Sequence, residues 1–386
     1  MLYAEQIESL ERISESVLTV YLNTQPENEA RHLLVPESLK WLRKEVKSIA
    51  QGLKAAERRQ FKTQWDRIQA FLEERHPEEK ALVLFAGPST WRSVPLLIPV
   101  ENEVTWGEPA ISQLLLLAQE HKPYCVVVVD KTAARFLRYQ FSEMAQIEER
   151  PFILDISQWK MKEMGHVTGQ GVRKTRGSQR DSFEHRADAQ YARLCRETAL
   201  RAVDLCRKEK LSGIFLVGAS HLVEPVAKNI PTGFKESIGI FREDLGRFPI
   251  SELSRRLAAP IRNWEQQRAE SLVKSLLGAD RGTVTALDEL LAQLQEGAIG
   301  TIVVARDFSI SLLACDLCGW ADRSADSICP KCGANRHNAT LKHVLPLLAR
   351  KYKTEVHVID GGAADRLREL GGLGGWHREL KRAAAR

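Results

Sequence analysis

The chain has 386 residues, 44% of them hydrophobic, and a formal net charge of +6 at neutral pH. This length is sufficient for two or three globular domains, each with its own core. The cations are concentrated in a central polar segment and in the tail Arg378 to Arg386, which favours nucleic acid over a membrane as the partner. No apolar run has the character of a leader or the length of a spanning helix, so a cytoplasmic protein without membrane contact is expected.

The first 122 residues predict an α/β domain that ends at Lys122-Pro123. The hydrophobic pattern changes between the period of a helix and that of a strand along this segment. Two strands are expected to form a hairpin around Pro88-Ser89-Thr90, because turn residues separate two apolar runs. The predicted order is a helix at Ala4–Glu15, a strand at Val17–Thr24, two helices at 38–50 and 57–75, strands at 80–87 and 91–100, and a helix at 111–121.

A second α/β domain is predicted for residues 123–262. Strands at Cys125–Asp130, Ala134–Tyr139 and Gly213–Ala219 are apolar, and the helix at Ala187–Lys208 carries an apolar face. Strands that alternate with helices indicate a two-layer or three-layer α/β arrangement. A long helix at Ile250–Leu277, interrupted by its proline, is expected to lead into a third domain at residues 263–386.

The segment from Met164 to Arg186 abandons the hydrophobic pattern and keeps glycines, cations and amides. A long stretch of this kind predicts a functional loop or a solvated linker. Its cations surround Gly177-Ser178-Gln179, and such a density of positive charge suits close approach to a polyanion. The candidate RNA-binding residues are Arg173, Lys174, Arg176 and Arg180.

Four of the seven cysteines form two CxxC pairs separated by ten residues. Two such pairs at short range let four thiolates converge on one Zn²⁺, and the glycine that follows each pair permits a tight turn. Because all four positions are thiolates, with no position left for water, the metal is expected to be structural rather than catalytic. The predicted ligands are Cys315, Cys318, Cys329 and Cys332.

A family resemblance rests on the order of these features. The strand VVVVD, a hairpin, the cationic segment RKTRGSQ and the helix containing QYARLCRE resemble the central domain of the archaeal and eukaryotic class-1 peptide-release factors. The Gly-Ser-Gln tip is most similar to their ribosome-quality-control branch. The stretches at Ala286–Asp307 and 355–380 are similar to the family's C-terminal domain. This resemblance implies a three-domain α/β (α+β) architecture with a zinc knuckle, residues 315–332, inserted in the C-terminal domain.

The resemblance also implies a function. The protein would hydrolyse peptidyl-tRNA on stalled or split ribosomes, with Gly177, Ser178 and Gln179 as the catalytic tip in the peptidyl transferase centre. The codon-reading tip of standard release factors has no counterpart between Gln25 and Glu57, so release would be independent of stop codons. Implied partners are ribosomal RNA at the A site, peptidyl-tRNA and a translational GTPase, and the protein is expected to be a monomer.

Two alternatives remain open at this point. Arg176 and Ser178 place side chains where the family usually keeps bare backbone, which suits a non-catalytic hibernation factor that occupies the A site. The other alternative is a rescue factor that cleaves tRNA or another RNA, for which His166 and His185 are the candidate acid and base.

Overall fold

The computed structural model describes residues 2–24, 36–74, 79–152, 177–279 and 281–378. These residues form two compact units. The discontinuous unit comprises Met1–His121 and Glu265–Arg386, and the central unit comprises Lys122–Trp264. The domain boundaries proposed after residues 122 and 262 stay a prediction. The mixed α/β fold class is confirmed.

The N-terminal part of the discontinuous unit is an antiparallel sheet covered by helices. Its strand order is β3-β2-β1-β4, and β2 pairs antiparallel with β3 as the predicted hairpin. Leu42 and Val46 of α2, and Phe61 of α3, are buried in one core with the sheet. The elements are α1 (Leu2–Glu11), β1 (Val17–Asn23), α2 (Pro36–Gly52), α3 (Ala55–Glu73), β2 (Ala81–Ala86), β3 (Trp91–Leu96), β4 (Glu103–Gly107) and α4 (Ser112–Glu120).

The central unit has three layers. Its sheet has the order β7-β6-β5-β8-β9, in which β5, β8 and β9 are parallel. Helices α5 and α6 cover one face, and the first half of α7 covers the other. The elements are β5 (Tyr124–Val129), β6 (Ala133–Gln140), β7 (Glu143–Pro151), α5 (Gly177–Lys208), β8 (Ile214–Val217), α6 (Ser220–Asn229), β9 (Ile238–Phe241) and α7 (Ile250–Leu277).

The C-terminal part of the discontinuous unit contains two sheets. The larger has the order β10-β16-β11-β15, and the smaller, β13-β12-β14, carries the first CxxC pair at the end of β12. Helices α8 and α9 pack in one apolar cluster of this part, whereas α10 and the second half of α7 pack in another. The elements are β10 (Thr283–Val284), α8 (Leu287–Gln295), β11 (Ile299–Ala305), β12 (Ser311–Cys315), β13 (Ala321–Asp322), β14 (Arg336–Thr340), α9 (Leu341–Tyr352), β15 (Glu355–Ile359), α10 (Gly361–Glu369) and β16 (Leu373–His377).

Three details differ from the sequence-based expectations. Helix α5 begins at Gly177 and not at Ala187, because helix propensity of Gln, Arg, Glu and Ala extends it beyond the apolar face that marks its second half. Helix α7 continues through Pro260, where the proline removes a single backbone hydrogen bond. The residues after β15, for which the sequence patterns predicted no helix, form α10, and Gly374 and Gly375 lie in strand β16.

Within the ranges described above, no helix combines the length and the apolar character that crossing a membrane requires.

Candidate metal centre and the Gly-Ser-Gln segment

The four cysteines of the two CxxC pairs converge as predicted. Their sulfur atoms all lie within 4.8 Å of one another. The Cys315 and Cys332 sulfurs are 3.4 Å apart, and those of Cys318 and Cys329 are 3.6 Å apart. A tetrahedral site with metal–sulfur bonds of ~2.3 Å has sulfur separations of roughly 3.8 Å. The four thiols therefore fit a tetrahedral metal ion, and they can hold one with no open position.

The two knuckles have the same backbone geometry. Gly319 donates its N–H to the carbonyl of Cys315 at 3.1 Å, and Gly333 donates to that of Cys329 at 2.9 Å. Both glycines have φ near +74°, a left-handed conformation that other residues adopt at a cost. In the first knuckle the N–H groups of Leu317 and Cys318 point at the Cys315 sulfur, at 3.4 and 3.5 Å. The predicted role of the glycines is thus confirmed.

Hydrogen bonds to the sulfur atoms give the Cys315 and Cys332 thiols different pKa values. The N–H of Cys318 is the main donor to Cys315 and lowers the pKa of that thiol to about 6. At Cys332 the N–H of Ala334 alone would lower the pKa, but hydrogen bonds with the neighbouring cysteines, Cys315 first, raise the pKa to about 12. Of these two thiols Cys315 therefore ionises more easily, and a bound cation would displace the protons of its ligands.

A buried ion pair lies in the small sheet that carries the first CxxC pair. Residues 311–340, which contain this sheet and both CxxC pairs, are called the cysteine lobe below. The Arg336 side chain is fully buried, and its Nη2 lies 2.6 Å from Oδ1 of Asp322 and 2.6 Å from the carbonyl of Leu313. Asp322 also accepts from the indole of Trp320 at 2.8 Å and from the N–H of Ser324 at 2.9 Å. Burial alone would raise the pKa of Asp322, but donation from Ser324 and Arg336 outweighs burial and lowers the pKa to about 2.

Two further contacts join the lobe to the helices of the same unit. The buried Gln295 side chain on α8 accepts from the N–H of Ala321 at 2.7 Å and donates to its carbonyl at 2.8 Å. Lys351 on α9 donates to the carbonyl of Cys318 at 2.9 Å. Sequence reasoning missed these residues and the Arg336–Asp322 pair, because their partners are distant in the chain and no local pattern marks them.

The Gly-Ser-Gln residues lie at the start of α5. Gly177, Ser178 and Gln179 form its first turn, where the backbone N–H groups have no partner within the helix. The helix has 32 residues and so is about 48 Å long. Arg173, Lys174, Arg176 and His166 fall outside the described residues, and the structure describes no side chain for Arg180 or His185.

The second half of α5 is fixed to the sheet of the central unit. Cys195 and Cys206 are buried against it. Arg201 pairs with Glu148 on β7 at 2.6 Å. The first buried residue described in the helix, Cys195, lies roughly 27 Å along the axis from Gly177. The Gly-Ser-Gln turn thus lies at the opposite end of α5 from the half that packs on the sheet.

Comparison with known families adds to this geometry. Residues 109–240 match the family described as "Bacterial archaeo-eukaryotic release factor family 10". The match covers about a third of the chain, and over these residues the chain is similar to release-factor-like proteins. The matched segment includes β5 to β8, the cationic residues and the Gly-Ser-Gln turn of α5. The resemblance found in the sequence is therefore confirmed for this segment.

The solved structures to which this chain is similar have low sequence identity to it. An archaeal translation termination factor, aRF1, is 14% identical over 98% of this chain and 97% of its own, with a TM-score of 0.25. A ribosome-bound archaeal Pelota, in a model with ABCE1, is 12% identical over 97% of this chain and 92% of its own, with a TM-score of 0.39. Dom34 of S. cerevisiae is 11% identical over 77% of this chain and 79% of its own, also at 0.39. No curated protein matches the chain.

Proposed function

We propose that this release-factor-like protein hydrolyses peptidyl-tRNA on stalled or split ribosomes without reading a stop codon. The observation that carries this proposal is the family match over residues 109–240, which contains Gly177-Ser178-Gln179 at the start of α5. The absence of a codon-reading sequence between Gln25 and Glu57 supports independence from stop codons.

The position of the turn suggests how it would act. The free N–H groups of a helix start carry partial positive charge and favour a developing anion. Placed beside the ester of peptidyl-tRNA, the backbone and side-chain amides of Gln179 would orient water and stabilise the oxyanion. Arg173, Lys174, Arg176 and Arg180 would offset the repulsion between ribosomal RNA phosphates around the tip.

The metal proposed for the four cysteines is Zn²⁺ in a structural role. Four thiolates with the observed sulfur separations are the ligand set of closed zinc sites. Its function would be to hold β12, β13 and the two knuckles together, because this small lobe has few apolar residues of its own.

A non-catalytic function is the second candidate, and Arg176 and Ser178 favour it. Both carry side chains next to the amides that would contact the ester, and these side chains could block its approach. The protein would then occupy the A site of idle ribosomes as a hibernation factor.

A translational GTPase is proposed as a further partner under either function, and the protein is proposed to act as a monomer.

A peptide-release assay tests the proposal. Ribosomes that carry radiolabelled peptidyl-tRNA are prepared with a stop codon, a sense codon or no codon in the A site, and the protein is added in excess. We expect release at equal rates from all three. Binding without release would favour the hibernation factor, and release confined to stop codons would contradict codon independence.

A further inference from the structure

A row of lysines follows the outer face of α2. Lys40, Lys44 and Lys47 recur at the spacing of neighbouring helical turns, and all three are exposed. At 3.6 residues per turn they fall within a wedge of roughly 60° and extend along about 10 Å of the helix. Leu42 and Val46, on the opposite side, are buried in the core of the sheet. This row, Lys40, Lys44 and Lys47, is called the lysine stripe below.

The lysine stripe has no acidic partner among the side chains that the structure describes. Within the described ranges its three ammonium groups make no hydrogen bond or ion pair. Arginines elsewhere are commonly paired, for example Arg201 with Glu148 and Arg350 with Glu11. Residues 36–74 contain nine Lys or Arg and six Asp or Glu, a net charge of +3, which is half of the chain's +6.

Like charges at these spacings destabilise a helix. Neighbouring members of the stripe have Cβ atoms roughly 5–6 Å apart, which is shorter than the Debye length of about 8 Å at physiological ionic strength, so their charges repel one another. A polyanion laid along the helix would remove this repulsion and release its own counterions. The stripe is therefore a surface whose charge a bound polyanion would balance.

The chemistry around the stripe distinguishes among anionic partners. A membrane-binding helix inserts an apolar face into the lipid, but the apolar face of α2 is used in the core. Protein interfaces contain an apolar centre, and none of the large exposed hydrophobic residues found in the described chain lies on α2 or α3. Phosphate groups of RNA can be bound by exposed, long cationic side chains without an apolar surface. RNA is therefore the anionic partner that fits the stripe best.

We propose that the lysine stripe of α2 binds the phosphate backbone of RNA, independent of base sequence. Further exposed cations, Lys54, Arg59 and Lys62, follow on the turn and on α3. The inference rests on the proposed association with ribosomes, and it adds a second RNA contact in a part of the chain distinct from the Gly-Ser-Gln segment.

The test compares the salt dependence of binding in two triple variants of the full-length protein. In the first, Lys40, Lys44 and Lys47 become Gln, which removes charge and keeps helix propensity. In the matched control, the exposed Lys208, Lys228 and Lys274 become Gln, so the net charge changes equally. The probes are purified ribosomes, a blunt 20-base-pair RNA duplex and phosphatidylserine vesicles.

The stripe variant is expected to flatten the plot of log affinity against log salt by two to three units, since each phosphate contact contributes about 0.7–0.9. Its affinity deficit relative to wild type should shrink by roughly 40-fold between 50 and 200 mM salt, which follows from that slope. The control should keep the wild-type slope with both probes.

Other outcomes distinguish failure of RNA binding by the lysine stripe from failure of the proposed ribosome function. If wild type does not bind ribosomes, the proposed function fails, and the duplex arm still decides whether the stripe binds RNA. Equal slopes for wild type and the stripe variant, or equal flattening in the control, would overturn the inference. So would loss of binding to phosphatidylserine vesicles with unchanged RNA binding.

Discussion

Arg336 and Asp322 form an ion pair in the small sheet that carries the first CxxC pair, with 2.6 Å between Nη2 and Oδ1. The guanidinium is fully buried and the carboxylate is 26% exposed. Asp322 belongs to β13 and Arg336 to β14, the two strands that flank β12. The pair therefore fixes the two outer strands of the small sheet relative to each other, on the same segment that presents the metal ligands.

Substituting Arg336 with Met should destabilise this lobe by roughly 3–5 kcal/mol, because a partly buried carboxylate is left without its cation. The matched control is Arg323→Met: Arg323 pairs with Asp288, but both side chains are more than half exposed, and such pairs contribute at most about 1 kcal/mol. Hydrogen exchange of residues 311–340 measures the difference. Equal protection in the two variants would show that the buried pair has no special role.

The purified protein should contain one zinc per chain, held by Cys315, Cys318, Cys329 and Cys332. Closed sites of this kind provide about 10–16 kcal/mol of apparent binding energy in zinc-finger peptides, so Cys318→Ser should lose the metal and unfold the lobe locally. Cys195→Ser, in the central unit, is the control and should keep the zinc. The measurement is elemental analysis of protein never exposed to a chelator, and a content well below one zinc would refute the assignment.

Stability should depend on His121 as the pH falls. Burial, followed by the charge of Arg306, lowers the pKa of His121 to about 4, below the ordinary value near 6.5. The neutral form is thus favoured in the folded state, and its contribution is present above pH 6.5 and lost as the pH falls towards 4. Burial raises the pKa of the neighbouring Glu120 despite Arg306, which acts in the opposite direction over the acidic range.

A difference measurement isolates the histidine. Between pH 7 and pH 4 the wild type should lose on the order of 3 kcal/mol more of its free energy of unfolding than His121→Gln, from a shift of about 2.5 pKa units. Urea unfolding at several pH values gives both curves. Parallel curves would mean that His121 titrates alike in the folded and unfolded chains.

The sequence predicted the features that depend on local pattern. The apolar runs at β1, β5 and β8, and the two CxxC pairs with their glycines, are where the pattern placed them. Strand β7, which is largely exposed and rich in Glu, has no apolar alternation and was missed. The early start of α5 was missed for the same reason, since its first ten residues show helix propensity without an apolar face.

Long-range contacts could not be read from the sequence. Gln295 is fixed by Ala321, 26 residues away, and Glu120 contacts Arg306 across the two segments of the discontinuous unit. In the sequence, Gln295 and Glu120 look like ordinary surface residues of a helix. Their partners are distant along the chain, so the contacts can be seen only in the folded structure.

The cations that flank the Gly-Ser-Gln turn should contribute to ribosome binding. Replacing Arg173, Lys174, Arg176 and Arg180 together with Ala should flatten the salt slope by about three units, because each lost phosphate contact removes 0.7–0.9. Filter binding to ribosomes at several salt concentrations measures the slope. An unchanged slope would show that these residues do not contact RNA.

The central claim is that Gln179 takes part in peptide release. Gln179→Ala should leave ribosome affinity nearly intact, because the cations and the other surfaces supply most of the contact. Loss of one oxyanion donor typically costs about 10²–10³ in rate. Gln170→Ala is the matched control: Gln170 is a nearby glutamine without the basic run before it and without the position in α5, and its variant should release peptide at the wild-type rate.

Single-turnover hydrolysis of ribosome-bound peptidyl-tRNA is the most direct measurement, made with wild type, Gln179→Ala and Gln170→Ala at saturating protein. We expect fast release by wild type and Gln170→Ala, and release slowed by at least about 100-fold in Gln179→Ala. Ribosome binding without release by all three proteins would refute a catalytic role for Gln179 and favour the A-site hibernation factor.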